Sequence, residues 1–331
     1  MCILSKNGEL NIINLYKFIG WPALKLYKFN MQGDNNMVLI ESEETASVLE
    51  TPELHRKFLN VRYAECTEDE VMDIYLPEQG KGPFPVIVDI HGGGWYYGAK
   101  SSLKIKPVLQ GLKRGYAVVS LQYTWSVHGR FPIQIYDIKA AIRYIRANAS
   151  LYHMNPEKIG LWGLSAGAHL ASLAGTGATV PQLEDLNMGN PQESSAVQCV
   201  VALYPIIDIL KLEHQHRQYG MDPNEACTND ESMGGMLLGK APCKVPHLCE
   251  LANPENYITK DCPPFFIQHG LADTVVPFQQ SILFADKLER MIGPDKVTLE
   301  LFSQVDHAEE FFRTPENTDK IYAFFDQYLK S

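Results

Sequence analysis

The feature that most restricts the fold is an alternation of short β-branched runs with longer helical patterns, which extends from about residue 60 to the C-terminus. Such alternation is typical of parallel βαβ units. Several runs are almost wholly apolar, including residues 86–88 and 200–203. Runs of this kind suit strands that are buried on both faces of a sheet covered by helices. The sequence therefore predicts an α/β protein with a mostly parallel central sheet.

Eight strands and two clear helices can be predicted. The strands are expected at residues 61–65, 71–76, 85–90, 116–123, 158–162, 197–204, 264–269 and 296–302. A helix is predicted over residues 132–149, because Pro132 suits a first helical turn and isoleucines follow at helical spacing. A second helix, over residues 319–329, carries a similar stripe of Ile and aromatic residues. Both stripes are interpreted as core-facing surfaces.

Two regions do not follow the alternation. Residues 1–60 contain helical patches and aromatic residues without a strong strand signal, and residues 207–260 form a long polar segment between two predicted strands. Segments of that length in a compact domain are usually functional or mobile. We therefore predict an N-terminal extension over 1–60, acting as a cap or an interface element. The main α/β domain is expected over 61–331, with a second candidate cap in the insertion at 207–260.

Composition excludes several classes of partner. The net charge of −10 argues against nucleic acids and anionic membranes, because both attract basic surfaces. No run approaches the roughly 20 apolar residues of a membrane-spanning helix. Glu9 interrupts the apolar stretch that a secretion signal would need, so a cytoplasmic protein is expected. Such a protein could also associate into a homo-oligomer.

Seven cysteines give an odd count, which does not suggest a disulfide framework. Four of them fall within residues 227–262, but none forms a CxxC pair, so no metal site is expected and reduced thiols are the simpler interpretation.

The strongest chemical signal is the pentapeptide Gly-Leu-Ser-Ala-Gly at residues 163–167, which lies between an apolar run and a helical pattern. A sharp turn from strand to helix holds a serine in a strained conformation and exposes its hydroxyl above the sheet. The flanking glycines would let strand and helix approach closely. Ser165 is therefore the candidate nucleophile, against the alternative of an incidental serine in a glycine-rich turn.

A second motif, His-Gly-Gly-Gly-Trp at residues 91–95, directly follows a predicted buried strand. Acyl transfer places negative charge on a carbonyl oxygen, and one preorganised N–H donor is worth about 3–4 kcal/mol there. The expected donors are the backbone amides of Gly93, Gly94 and Ala166. A phosphate-binding turn is the alternative, but the loop lacks the Lys-Ser/Thr and GxGxxG patterns. Trp95 either lines an acyl pocket or packs beneath a cap.

The acid should come after the nucleophile in the sequence, and the histidine that acts as the base should come after the acid. His307 is the candidate base because it follows the last predicted strand after a short loop. His169 lies one turn behind Ser165 and is interpreted as a packing residue. His214, His216 and His247 lie in the insertion, and His269 is expected to brace the acid's loop.

Two carboxylates compete for the role of the acid. Asp208 follows one predicted strand, and Asp273 follows the next in a tight turn. Asp273 is preferred because the later position is the usual one. Asp306 is disfavoured, because neighbouring side chains in an extended loop diverge. In this arrangement His307 would deprotonate Ser165, and Asp273 would orient the imidazole.

From Val71 to the C-terminus the chain resembles the feruloyl-esterase-like (BD-FAE-like) α/β-hydrolases, which border the hormone-sensitive-lipase-like and prolyl-oligopeptidase-like esterases. The resembling strings are residues 72–77, 91–95, 131–132, 137–143, 155–159, 165–171, 254–258 and 269–277. The resemblance implies an α/β-hydrolase fold and hydrolysis of short acyl or aromatic acyl esters, acetyl or feruloyl esters among them. It also implies a small-molecule substrate and no cofactor.

Other functions remain open at this stage. The string at residues 165–169 also resembles arylformamidases, which hydrolyse a small amide. A catalytically silent hydrolase fold used for protein binding is a third hypothesis, but such chains normally lose a member of the triad. Peptidase activity is less favoured, because no propeller-sized N-terminal domain is present to select peptides.

Overall fold

The computed structural model describes residues 49–221 and 227–331. It also describes the backbone of Leu24–Leu26 and Ile40–Ser42, which pair as short antiparallel strands. Most of the predicted N-terminal extension, and its suggested role as a cap or interface, therefore lies outside the described residues.

One eight-stranded sheet forms the centre of the described structure. Its strands are β1 (Lys57–Arg62), β2 (Val71–Tyr75), β3 (Phe84–Ile90), β4 (Ala117–Leu121), β5 (Met154–Leu164), β6 (Cys199–Leu203), β7 (Phe265–Gly270) and β8 (Val297–Phe302). They lie in the order β8-β7-β6-β5-β3-β4-β2-β1. All pairs among β3 to β8 are parallel, whereas β2 runs antiparallel to both β1 and β4. The mostly parallel sheet predicted from the sequence is confirmed.

Helices cover both faces of this sheet. They are α1 (Lys106–Leu109), α2 (Ile133–Ala147), α3 (Ala166–Thr176), α4 (Ile209–Gln218), α5 (Met233–Leu238), α6 (Pro246–Ala252), α7 (Gln279–Ile292) and α8 (Pro315–Leu329). The apolar core on one face contains the buried sides of α2, α3 and α7, and the core on the other face contains those of α1 and α8. The isoleucine stripe of α2 is fully buried, as predicted. Across the described part of the chain, no helix has the length and apolarity needed to cross a membrane.

The first strand differs from its prediction. β1 begins at Lys57 rather than at residue 61. Phe58 and Leu59 in its first half are 42% and 50% exposed, because β1 is the edge strand of the sheet. Both faces of this half are therefore partly solvated, and the alternation of apolar and polar residues that marks a half-buried strand is missing.

The insertion at residues 207–260 is partly helical. It contains α4, α5 and α6, each of ten residues or fewer. Helices this short carry little periodic signal, which explains why the sequence alone did not predict them.

The topology places the functional loops together. The carboxyl ends of parallel strands meet at one edge of a sheet, where ligands commonly bind in α/β proteins. Ser165 follows β5, and the loop at residues 91–95 follows β3. Asp273 and His307 follow the adjacent strands β7 and β8. All four candidate elements therefore lie at the same edge.

Candidate active site

Ser165 occupies the sharp turn between β5 and α3. Its backbone has φ 52° and ψ −118°, a conformation that is strained for a residue with a side chain and stores on the order of 1–3 kcal/mol. The two flanking glycines make the turn sterically feasible. A Cβ on Gly167 would lie 2.0 Å from the carbonyl oxygen of Ile90, and one on Gly163 would lie 2.4 Å from the carbonyl oxygen of Gly167. Only glycine therefore lets α3 begin this close to β3.

The hydroxyl of Ser165 lies next to an imidazole. His307 Nε2 is 3.0 Å from Ser165 Oγ, and His307 Nδ1 is 2.7 Å from Asp273 Oδ2. An ionised carboxylate can only accept a hydrogen bond, so Nδ1 of His307 carries the proton and donates it to Asp273. The lone pair on Nε2 is then free to accept the hydroxyl proton of Ser165. The structure thus brings the three sequence-predicted residues into one hydrogen-bonded chain.

The carboxylate of Asp273 is fixed at both oxygens. The backbone N–H groups of Val275 and Val276 donate to Oδ1 at 2.9 and 2.7 Å. Burial would raise the pKa of Asp273, but the attraction of His307 when its imidazole is protonated, together with hydrogen bonds from His269 and His307, outweighs this effect. The pKa therefore lies well below its ordinary value of 3.8, and the group is ionised at neutral pH.

His269 holds this loop, as the sequence analysis expected. Its Nε2 lies 3.1 Å from Asp273 Oδ2 and 3.0 Å from the carbonyl oxygen of Val276, both of which are acceptors. Nδ1 of His269 must then accept from the hydroxyl of Ser281, at 2.7 Å.

The competing acids have other partners. Asp208 caps the N-terminus of α4, where it accepts from the backbone N–H of Lys211 at 3.3 Å and pairs with the Lys211 ammonium at 2.8 Å. Asp306 accepts from the backbone N–H groups of Thr274 at 2.7 Å and of His307 at 2.6 Å. Asp306 thus joins the loop that follows β7 to the loop that carries His307. The sequence analysis did not find this role, because the contact depends on two segments that meet only in the folded sheet.

Tyr204 is a second residue that sequence reasoning missed. It follows β6 with a positive φ of 43°, which is unusual for a bulky side chain. Its ring lies 4.8 Å from the imidazole of His307, centroid to centroid, in an edge-to-face arrangement. On its other side the ring packs against Phe312 at 4.7 Å. Only the positive φ marks this residue as unusual, and a backbone angle has no signature in the local sequence.

The remaining histidines lie elsewhere. His214 and His247 are exposed on the insertion. His216 is buried on α4, where its ring nitrogens lie 2.7 Å from the carbonyl oxygen of Leu212 and 2.9 Å from that of Val275. His216 therefore attaches α4 to the loop of Asp273.

The glycine loop lies against the turn of Ser165. A Cβ on Gly92 would be 3.2 Å from the Cβ of Ser165. Gly93 and Gly94 have φ values of 112° and 55°, so both need the conformational freedom of glycine. Ala166 is the first residue of α3, where the backbone N–H has no partner within the helix. The three predicted donors thus belong to the glycine loop and to the start of α3, the two segments that meet at the turn of Ser165.

Trp95 lies inside the protein with 1% of its surface exposed. Its φ of 65° continues the left-handed conformation of Gly93 and Gly94. Its indole N–H donates to Nδ1 of His169 at 3.2 Å. This burial and the hydrogen bond to α3 favour the interpretation of Trp95 as a packing residue.

No cluster of three or more His, Cys, Asp or Glu residues suited to a metal ion occurs in the ranges 49–221 and 227–331.

Comparison with known proteins shows that this chain is similar to esterases. The BD-FAE family model matches residues 72–288. The esterase LipQ of Mycobacterium tuberculosis is 28% identical over 283 residues, which cover 83% of this chain and 64% of the relative. The probable carboxylic ester hydrolase LipM of the same organism is 31% identical over 250 residues, covering 73% of this chain and 54% of the relative. The chain thus spans about half to two thirds of the length of these curated relatives.

Solved structures show the same architecture. A truncated carbohydrate esterase from gut microbiota is 29% identical with a TM-score of 0.74, over 88% of this chain and 99% of that chain. A bifunctional GH43-CE protein from Bacteroides eggerthii is 33% identical with a TM-score of 0.72, over 82% of this chain and 35% of that chain. The predicted α/β-hydrolase fold is confirmed by these similarities and by the sheet order. Because the family model also matches more than half of its residues, the chain belongs to the BD-FAE family of α/β-hydrolases.

Proposed function

We propose that this protein is a serine hydrolase that cleaves small carboxylic esters with short acyl or aromatic acyl groups, acetyl or feruloyl esters among them. The observation that carries the proposal is the hydrogen-bonded chain from Ser165 through His307 to Asp273, at distances of 3.0 and 2.7 Å. Its position beside the glycine loop supports acyl transfer, because both the nucleophile and the oxyanion donors are then in reach of one carbonyl group. The names of the relatives, which are esterases or ester hydrolases, point to the same chemistry.

The first half-reaction forms an acyl-enzyme. His307 Nε2 takes the hydroxyl proton while Ser165 Oγ attacks the acyl carbon, and Asp273 stabilises the resulting imidazolium. The carbonyl oxygen becomes negatively charged and receives hydrogen bonds from the amides of Gly93, Gly94 and Ala166, each worth about 3–4 kcal/mol in the transition state. His307 then protonates the departing alkoxide, and the alcohol leaves.

The second half-reaction restores the enzyme. His307 takes a proton from water, whose oxygen attacks the acyl carbon of the ester on Ser165. When this tetrahedral intermediate collapses, the Ser165 oxygen leaves and recovers its proton from His307, and the carboxylic acid is released. Every proton transfer in both halves uses the same imidazole, so the proposed cycle requires no cofactor.

Ester hydrolysis is preferred to the other candidate functions. An arylformamidase would use the same three residues on a formamide, but the similar curated proteins carry ester-hydrolase names. A silent binding protein would not need Ser165 held in a strained turn beside a correctly hydrogen-bonded imidazole.

The location of the protein is part of the same proposal. Cysteines 66, 199, 227, 243, 249 and 262 are free thiols, the form that a reducing compartment maintains. We propose a cytoplasmic enzyme on this basis, and self-association into a homo-oligomer stays a prediction.

The decisive experiment compares wild type with Ser165→Ala on p-nitrophenyl acetate, butyrate and octanoate, on methyl ferulate and on N-formylkynurenine. We expect ester turnover by wild type and a loss of at least about 10³-fold in the variant. Ser172→Ala is the matched control, because Ser172 is buried in the same helix and its hydroxyl has no partner in the described structure. Faster turnover of N-formylkynurenine than of any ester, or ester turnover that survives in Ser165→Ala, would contradict the proposal.

A further inference from the structure

His169 is a buried titratable residue that the proposed mechanism does not use. It lies one turn after Ser165 in α3, and its backbone N–H donates to the carbonyl oxygen of Ser165 at 3.0 Å. Its side chain is 0% exposed. Side chains of a helix lean towards its N-terminus, and this direction brings the imidazole next to the His91–Trp95 loop.

Both ring nitrogens of His169 have a partner that fixes their role. The indole N–H of Trp95 can only donate, so His169 Nδ1 accepts it at 3.2 Å. The carbonyl oxygen of Ala252 can only accept, so His169 Nε2 donates to it at 2.7 Å. The two contacts together require the neutral imidazole with its proton on Nε2. Burial lowers the pKa of His169 to about 4, which keeps the ring in this neutral form at neutral pH.

The two partners of His169 belong to different parts of the candidate site. Trp95 directly follows Gly94 and has a φ of 65°, a conformation that L-residues rarely adopt. Such a conformation persists when the surrounding contacts fix it. Two hydrogen bonds do so here, since the backbone N–H of Ser126 donates to the carbonyl oxygen of Trp95 at 2.8 Å and His169 holds the indole. Ala252 is the last residue of α6, in the insertion.

We propose that His169 is a positioning residue that holds the amides of Gly93 and Gly94 in place through its hydrogen bond with Trp95. Its second hydrogen bond, to Ala252, connects the insertion to α3 next to the glycine loop. The inference rests on the proposed function, because it assigns these amides to the oxyanion. Oxyanion donors must lie about 2.7–3.1 Å from the developing charge, so a small relaxation of Trp95 weakens them. The substrate-binding surface of the acyl pocket need not change at the same time.

The test uses two single variants and their combination. His169→Phe removes both side-chain hydrogen bonds while keeping a ring, and Trp95→Phe removes only the donor on the other side. Tyr322→Phe is the matched control, because it removes a buried hydroxyl in the core on the opposite face of the sheet. That hydroxyl lies 2.6 Å from the carbonyl oxygen of Val108 and 3.3 Å from that of Pro107.

Three experiments are made on each folded variant. They give kcat and KM for p-nitrophenyl acetate, the rate at which a fluorophosphonate labels Ser165, and the hydrogen–deuterium exchange of a peptide covering residues 91–98. We expect kcat and the labelling rate to fall at least about tenfold in both single variants, with KM changed less than about threefold. The double variant should be no slower than the slower single variant, since the two changes break the same link. Exchange in the 91–98 peptide should become faster. Tyr322→Phe should lower the melting temperature without these effects.

A different set of results would contradict the proposed role of His169. If both single variants keep kcat, labelling and exchange near wild-type values and only melt earlier, as the control does, His169 is a packing residue and the proposal is wrong. A wild type that neither hydrolyses esters nor reacts with the fluorophosphonate contradicts the proposed function instead. In that case the hydrogen–deuterium exchange of residues 91–98, compared between wild type and the variants, still shows whether His169 holds the loop. If His169→Phe does not fold, Trp95→Phe carries the same comparison.

Discussion

The two oxygens of Asp273 have separate partners, and this division fixes the orientation of His307. Oδ1 accepts from the backbone N–H groups of Val275 and Val276, whereas Oδ2 accepts from His307 and His269. The carboxylate therefore cannot rotate without losing backbone hydrogen bonds. Its fixed acceptor selects the tautomer of His307 in which Nε2 faces Ser165 without a proton.

Asp273→Asn should reveal this selection. An amide N–H₂ in place of Oδ2 would donate to His307 Nδ1 and force the proton onto Nε2, where it can no longer accept from Ser165. We expect kcat/KM for p-nitrophenyl acetate to fall by about 10⁴-fold, the magnitude known for the wrong tautomer. Asp306→Asn is the control, because this neighbouring carboxylate bonds to the backbone N–H of His307 rather than to its ring. Comparable losses in the two variants would show that Asp273 is not the orienting acid.

Among single residues, the sequence predicts those whose role can be recognised from the neighbouring sequence. Ser165 lies in a recognisable turn, and Asp273 and His307 each follow a strand whose end could be located. Tyr204 and Asp306 contact the same imidazole or its loop but carry no such signal. Their roles depend on which strands become neighbours, and that information lies in the tertiary arrangement of β6, β7 and β8.

At the scale of secondary-structure elements, a polar row crosses three strands behind the glycine loop. Asp73 on β2 pairs in register with Ser120 on β4, which pairs with Asp89 on β3. Lys100 lies over this row: its ammonium is 2.7 Å from Asp73, and its carbonyl oxygen accepts from Ser120 at 2.6 Å. The row therefore anchors the segment that follows the glycine loop to the sheet.

Asp89 is the unusual member of this row. The hydroxyl of Ser120 has one hydrogen, which the carbonyl oxygen of Lys100 receives. Ser120 Oγ also lies 3.0 Å from Asp89 Oδ2, so the hydroxyl can share its hydrogen with an ionised Asp89 or accept a hydrogen bond from a protonated one. Burial raises the pKa of Asp89 to about 7, with a smaller opposing effect from the Ser120 hydroxyl. Burial thus favours the neutral acid below neutral pH, and in that form Asp89 has Ser120 Oγ within reach as an acceptor.

Asp89→Asn should therefore stabilise the protein in alkaline solution. Between about pH 4 and pH 7 the folded protein retains a proton that the unfolded chain has lost, so the free energy of unfolding of wild type falls as pH rises through this window. An asparagine amide can donate to Ser120 at every pH and removes this dependence. One pKa unit corresponds to about 1.4 kcal/mol, and we expect the variant to be more stable by about 2 kcal/mol at pH 8.

Urea unfolding at pH 5, 6.5 and 8 measures this effect. Asp73→Asn is the control, and it should destabilise the protein at all three values, because it leaves the largely buried Lys100 ammonium without its counter-charge. A wild-type free energy of unfolding that does not fall from pH 5 to pH 8, or an Asp89→Asn variant that is less stable than wild type at pH 8, would contradict the protonated state of Asp89.

On the scale of the whole molecule, the insertion contacts three separate parts of the candidate site. His216 on α4 lies 2.9 Å from the carbonyl oxygen of Val275, beside Asp273. Ala252 at the end of α6 accepts from His169. Met233 begins α5, and its sulfur would lie 2.7 Å from a Cβ added to Gly94. These contacts support the proposal that residues 207–260 form a cap over the nucleophile.

Met233→Ala tests whether this cap limits the acyl group. The substitution removes three heavy atoms beside the glycine loop, and each methylene that a longer acyl chain then buries is worth about 0.8 kcal/mol. We expect the ratio of kcat/KM for p-nitrophenyl butyrate to that for the acetate to rise by at least about threefold, while the rate on acetate changes little. Met291→Ala is the matched control, because Met291 is 49% exposed on α7 and should leave the ratio unchanged. A ratio that stays at its wild-type value in an active Met233→Ala enzyme would show that the acyl chain does not extend towards α5. The cap would then have to act on the alcohol side of the ester.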